Sequence, residues 1–117
     1  MGQLTTHVLD TASGQPAAAM RIDILIQRDG EWLRLGSVHT NPDGRVDAPL
    51  LQGEAMRSGR YRLVFHVGAY FRDSGHPGAQ AQFLDLVPVE FGIGDAGASY
   101  HVPLLVTPWS YCTYRGS

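Results

Sequence analysis

Tyr100-His101-Val102-Pro103-Leu104-Leu105-Val106-Thr107-Pro108-Trp109-Ser110-Tyr111-Cys112-Thr113-Tyr114-Arg115-Gly116-Ser117 reads as two strands joined by a turn. Its apolar residues predict a strand as far as Val106. Thr107-Pro108 turns the chain, because proline presets one backbone angle. A second strand begins near Ser110 and runs almost to Ser117. A chain end is normally frayed and dispensable. This one stays rich in Tyr, Thr and Cys, residues suited to a strand, so it reads as docked. A phenol, a guanidinium, a flexible glycine, a hydroxyl and a carboxylate close it, a dense set of recognition groups.

The same rhythm runs back through the chain. Leu4 to Thr11 reads as a strand with Leu4, Thr6, Val8 and Asp10 on one face and Thr5, His7 and Leu9 on the other. Ser13-Gly14-Gln15-Pro16 is a turn. Met20, Ile22, Ile24 and Ile26 form the core face of a strand ending at Gln27. Asp29-Gly30 is a hairpin signal, followed by a strand from Trp32 to Val38. Asn41-Pro42-Asp43-Gly44 is a strong turn that delivers Arg45, and a short strand or extended piece is expected over Val46 to Leu50. Gln52 to Gly59 reads as a polar loop. Tyr61, Leu63, Phe65 and Val67 alternate along the next strand. Ala69 to Ser74 has room for the one short helix, and Gly75-His76-Pro77-Gly78 is loop. Val87, Val89, Phe91 and Ile93 mark another strand. The total is about seven or eight strands in an all-β, two-sheet β-sandwich spanning residues 1–117 as one domain. Pro88 and Pro103 belong at edges, bulges or non-bonded positions, since each removes a ladder donor. The closing strand would leave an open sheet edge that invites pairing with a second copy.

Charge and composition narrow the function classes. The formal net charge is −2 and no basic run occurs, which argues against a nucleic-acid partner. No apolar run approaches the ~20 residues of a membrane helix, so no membrane partner is expected. The N-terminus has no basic region followed by an apolar block, so no secretion signal is read there. Cys112 is the single cysteine, which excludes an internal disulfide and suits a cytoplasmic protein. Its plain reading is a small strand residue.

The chemistry-bearing residues are few. Of the five histidines, His7, His39, His66, His76 and His101, no two stand at metal-ligand spacing, and no metal site is expected. No glycine-rich loop joins a strand to a helix, so no phosphate cradle is expected. The carboxylates Asp10, Asp23, Asp85 and Glu90 show no pairing. His7 and His101 each lie in a strand beside Thr or Tyr and apolar neighbours. An imidazole held partly buried in one orientation can titrate near neutrality and act as a base. Arg45 follows a tight turn that can aim it; otherwise it is an ordinary exposed charge.

Three segments, taken in order, resemble one family. Leu4-Thr5-Thr6-His7-Val8-Leu9-Asp10 with Gly14-Gln15-Pro16-Ala17 is similar to the N-terminal signature of the 5-hydroxyisourate hydrolases, the transthyretin-related enzymes of urate breakdown. Asp43-Gly44-Arg45 resembles their second motif. Tyr100 to Leu105 and the closing Tyr114-Arg115-Gly116-Ser117 resemble their C-terminal signature. Trp109 and Cys112 depart from the family's more usual Tyr and Ser, between the motifs.

The resemblance implies a transthyretin-like sandwich and a homotetramer built as a dimer of dimers, with active sites in a channel between the dimers. It implies His7, Arg45 and His101 as the catalytic trio. Tyr114, Arg115, Gly116 and Ser117 would join His7 and Arg45 in binding the substrate. The implied reaction is hydrolysis of 5-hydroxyisourate, a small molecule, with no cofactor. The alternative on the same scaffold is a non-enzymatic small-ligand carrier of transthyretin type, whose channel would be lined by apolar groups with Lys, Glu or Ser.

Overall fold

The computed structural model describes residues 2–81 and 83–117. The readings that begin at Met1, the N-terminal segment and the domain bound, therefore start outside the described residues. Two sheets pack face to face. The strands are β1 (Gln3–Asp10), β2 (Gln15–Pro16), β3 (Arg21–Arg28), β4 (Glu31–His39), β5 (Leu51–Gln52), β6 (Gly59–His66), β7 (Leu86–Ile93), β8 (Tyr100–Val106) and β9 (Tyr111–Thr113). The first sheet runs β2-β1-β8-β9, with β5 also paired to β1; the second runs β4-β3-β6-β7. The molecule is an all-β two-sheet sandwich with one short α-helix, α1 (Val67–Ser74).

Alternation puts one face of each strand inside. Ile22, Ile24 and Ile26 are buried from β3, with Met20 buried just before it, and Tyr61, Leu63 and Phe65 from β6; Val67, expected on that strand, is buried as the first residue of α1; Leu4, Val8, Val102, Leu104 and Val106 are buried from the first sheet. Each fully buried side chain of this size contributes roughly 1.5–3 kcal/mol. The β3–β4 hairpin turns on Asp29 and Gly30, both at positive φ (52° and 80°), as an Asp-Gly pair favours. Gly75 ends α1 in the left-handed conformation (φ 73°), and its N–H closes on the carbonyls of Phe71 and Arg72 in the manner of a glycine cap.

Most strands pair antiparallel. The exception is β1 with β8, which run parallel with Thr5 opposite His101 and His7 opposite Pro103. That pairing positions the candidate site. Pro88 lies on β7, an edge strand, where its missing donor costs nothing. Pro103 sits just before the β8–β9 ladder begins at Leu104.

Several expectations need correction. Val46 to Leu50 is bend and coil; the strand there is β5, at Leu51–Gln52. Gln15–Pro16 is a short strand as well as a turn, because Leu9 and Asp10 pair with it. The polar loop includes a turn of 3-10 helix at Gly53–Ala55, and the stretch after His76 includes another at Pro77–Ala81. The last strand stops at Thr113, and the tail rejoins the sheet only through a bridge between His101 and Gly116.

Candidate active site

The parallel register of β1 and β8 creates the site. Thr5 and His7 share the outer face of β1, and His101 occupies the same face of β8 directly beside Thr5. The Thr5 hydroxyl lies 2.8 Å from Nδ1 of His101. His7 donates from Nε2 to the carbonyl of Asp43 at 3.0 Å, since a carbonyl oxygen can only accept. Both rings are thus held by a group outside their own strand.

The turn from Asn41 to Arg45 supplies the third member. Asn41 Oδ1 accepts from the backbone N–H groups of Asp43 (2.9 Å) and Arg45 (3.2 Å). The Asn41 N–H donates to the Arg45 carbonyl at 2.7 Å, and the Gly44 carbonyl accepts from Val8 N–H at 2.8 Å. One compact turn therefore fixes Arg45 and, through Asp43, His7. Gly44 is required there: its φ is +76°, and a Cβ would meet the Val8 carbonyl at 2.3 Å. Arg45, Thr5, Thr6, Val46, Ala48 and Leu50 line a recess of about 130 Å³.

The electrostatics follow from this grouping. Burial pushes the His101 pKa down from its ordinary value, and the nearby charges of Arg45 and His7 push the same way; a backbone contact from Thr5 opposes them. The neutral form of the His101 imidazole is accordingly favoured. Among the described residues Arg45 forms no ion pair, so its fork of donors is free for an anionic or carbonyl-bearing ligand.

The tail divides. Gly116 donates its N–H to the His101 carbonyl at 2.7 Å. A Cβ at this position would come within 2.6 Å of His101 Cδ2. Glycine is needed for the space beside the imidazole and not for its backbone freedom, because Gly116 does not have a positive φ. Arg115 turns away from the trio: its guanidinium stacks over Tyr100 at 4.3 Å and reaches the Ser99 carbonyl at 3.4 Å. Tyr114 and Arg115 border a separate cavity of about 230 Å³ with Val89, Glu90, Phe91, Val102 and Thr113. Ser117 is exposed. Within one chain, then, His7, Arg45, His101 and Gly116 come together, while Tyr114, Arg115 and Ser117 do not join them.

Two residues of the cluster escaped the sequence reading. Asn41 was legible only as a turn former. Thr5 was legible as a companion of His7, but its contact with His101 depends on a parallel pairing that no local pattern announces.

Comparison with known proteins places the chain in a family. The HIUase/Transthyretin family model matches residues 4–116. The chain belongs to the HIUase/Transthyretin family. A 5-hydroxyisourate hydrolase 2 of Rhizobium meliloti is 54% identical, with 99% of this chain and 97% of that one covered. A solved (S)-allantoin synthase superposes with a TM-score of 0.92 at 44% identity, covering 99% of this chain and 44% of that one. The chain thus spans under half the length of that protein. Sea bream transthyretin, solved with thyroxine, superposes with a TM-score of 0.87 at 25% identity over 97% of this chain and 94% of that one. The family fold accounts for the sandwich. No helix among the described residues is long and apolar enough to cross a membrane.

Proposed function

We propose that this chain hydrolyses 5-hydroxyisourate to 2-oxo-4-hydroxy-4-carboxy-5-ureidoimidazoline, an early step of urate catabolism in the cytoplasm, and that residues 1–117 form one hydrolase domain. The observation that carries the reading is the convergence of a neutral imidazole, a second imidazole and an unpaired guanidinium on one sheet face.

The substrate is a flat, polar heterocycle that readily bears negative charge. Arg45 takes its carbonyl or anionic edge with parallel N–H donors. His101 removes a proton from water as the water oxygen bonds to the acyl carbon, which suits a base kept neutral at pH 7. Arg45 stabilises the oxyanion that forms. The acyl C–N bond then breaks, and the proton taken from water passes to the leaving nitrogen. His7, with Nε2–H committed to Asp43, orients the substrate through its other ring nitrogen.

The assembly proposed is a homotetramer, a dimer of dimers. The β9 edge carries exposed Tyr111, Tyr114 is exposed just after it, and Trp109 is exposed in the turn before it, a combination that favours pairing with a second copy. Tyr114, Arg115 and Ser117 reach the substrate across that assembly. Light scattering tests it: the expected mass is near four times the 12.8 kDa monomer, and a mass near the monomer would remove any contribution from neighbouring copies.

The ultraviolet decay of freshly generated 5-hydroxyisourate tests the activity. Protein at catalytic concentration accelerates the decay well beyond the spontaneous rate. Identical decay with and without protein would defeat the hydrolase reading and return the chain to the carrier class.

A further inference from the structure

Thr5 and Thr6 are adjacent in sequence, and their hydroxyls go to different places. Thr6 is buried and donates to the Val102 carbonyl at 2.7 Å, tying β1 to β8 from inside. Thr5 faces outward, lines the recess beside Arg45, and meets Nδ1 of His101 at 2.8 Å. One hydroxyl holds the sheet; the other holds a ring.

An imidazole with a free Nδ1 can carry its single neutral proton on either nitrogen and can turn about its side-chain bond. A base acting through Nε2 needs the proton on Nδ1 and the ring held still. The two nitrogens are distinguished only by the hydrogen bond that one of them makes. We propose that Thr5 is a positioning residue for the hydrolysis: its oxygen accepts from Nδ1–H of His101, holding the tautomer whose Nε2 is the base and fixing the ring in one orientation near Arg45. This rests on the hydrolase reading of the site. The same contact serves before and after proton transfer, because Nδ1 keeps its proton when Nε2 takes one from water. A hydroxyl also orients without adding charge. A carboxylate at this place would favour the protonated ring.

Three variants and two readouts test the proposal. Thr5→Val keeps the shape and removes the hydroxyl; kcat is expected to fall about tenfold to a hundredfold with KM little changed, the scale of a misplaced reacting group. Thr5→Ser restores the oxygen and most of the rate. Thr6→Val is the structural counterpart: removing its buried bond to the Val102 carbonyl lowers Tm, which Thr5→Val leaves nearly unmoved. Equal losses in Thr5→Val and Thr5→Ser, or a wild-type kcat in Thr5→Val, would overturn the proposal. The second readout needs no substrate. Nitrogen-15 spectra of His101 in the wild type should show the proton on Nδ1, and Thr5→Val should populate the other tautomer. A wild-type His101 with its neutral proton on Nε2 would overturn it. If the wild type fails to accelerate 5-hydroxyisourate decay, the hydrolase reading falls, and the spectra still decide the Thr5–His101 claim.

Discussion

Two polar clusters decorate the outer faces of the sandwich, one on each sheet, and they are built from similar residue types. On the second sheet, Asp23 stands at the centre. Arg21 Nε lies 3.0 Å from Oδ1, His66 Nε2 2.9 Å from Oδ2, and Ser37 donates to the same carboxylate while Arg34 donates to Ser37. Burial would raise the Asp23 pKa, but the hydrogen bonds from Ser37, His66 and Arg21 win and hold it well below the usual carboxylate range. On the first sheet, Thr5, His7, His101 and Arg45 gather, and among the described residues no carboxylate side chain is hydrogen-bonded to them. The charge that Asp23 neutralises in one cluster is left open in the other. A central anion turns histidine and arginines into a closed structural network. In the other cluster burial and the neighbouring charges favour the neutral imidazole of His101, and the Arg45 guanidinium stays free, which are the conditions for binding an anionic ligand and activating water.

The largest expected effects come from the open cluster. Arg45→Gln and His7→Asn each lower the hydrolysis rate by about a hundredfold or more, the usual contribution of an electrostatic or acid–base group. Circular dichroism should show the fold intact. Activity retained within a few-fold in either variant would break the assignment of that residue. Gly116→Ala comes next. Its methyl must displace the His101 ring, and the expected loss in kcat is about tenfold to a hundredfold with little change in Tm. A fully active alanine variant would mean that the ring position does not matter.

A smaller effect sharpens the electrostatic half of the comparison. Because burial, Arg45 and His7 lower the His101 pKa, its midpoint lies below the free-imidazole value of ~6.5. The base is lost when it gains a proton, so kcat/KM falls as pH drops through that midpoint and is flat above it. Arg45→Gln removes one depressing charge, so an NMR titration of His101 should move to higher pH. An unchanged midpoint would show that Arg45 does not sense the ring.

The closed cluster should affect stability alone. Asp23→Asn leaves the rate unchanged and lowers Tm by a few degrees at pH 7, the scale of one charge-assisted network in a domain of this size. The sign of the pH dependence is set by the depressed folded-state pKa. The Asp23 contribution is complete above the unfolded carboxylate value of ~3.9 and is lost as pH falls from there toward the folded value. The gap in Tm between wild type and variant should therefore close in acid. A gap that persists or widens below that value would contradict the network.

Much of the fold was legible because alternation is a local signal. Met20-Ile22-Ile24-Ile26 and Tyr61-Leu63-Phe65-Val67 declared their core faces without help, and both are buried as expected. The strands β2 and β5 are too short to carry a period, and their existence depends on β1 lying beside them. The parallel β1–β8 pairing joins distant segments and leaves no local trace. For the same reason the site was legible only in part. In the sequence only the neighbouring Tyr100 separates His101 from His66, another strand histidine among apolar neighbours. The family resemblance singled out His7, Arg45 and His101. What distinguishes His101 from His66 physically is the partner across the sheet, a hydroxyl in one case and a carboxylate in the other.

That distinction is tested most directly by the initial rate of 5-hydroxyisourate decay measured side by side for the wild type, His101→Asn and His66→Asn. The expected result is a loss of about a hundredfold or more in His101→Asn and a rate close to wild type in His66→Asn. Equal losses in the two variants, or an undiminished rate in His101→Asn, would contradict the claim that the cluster without a carboxylate is the catalytic one.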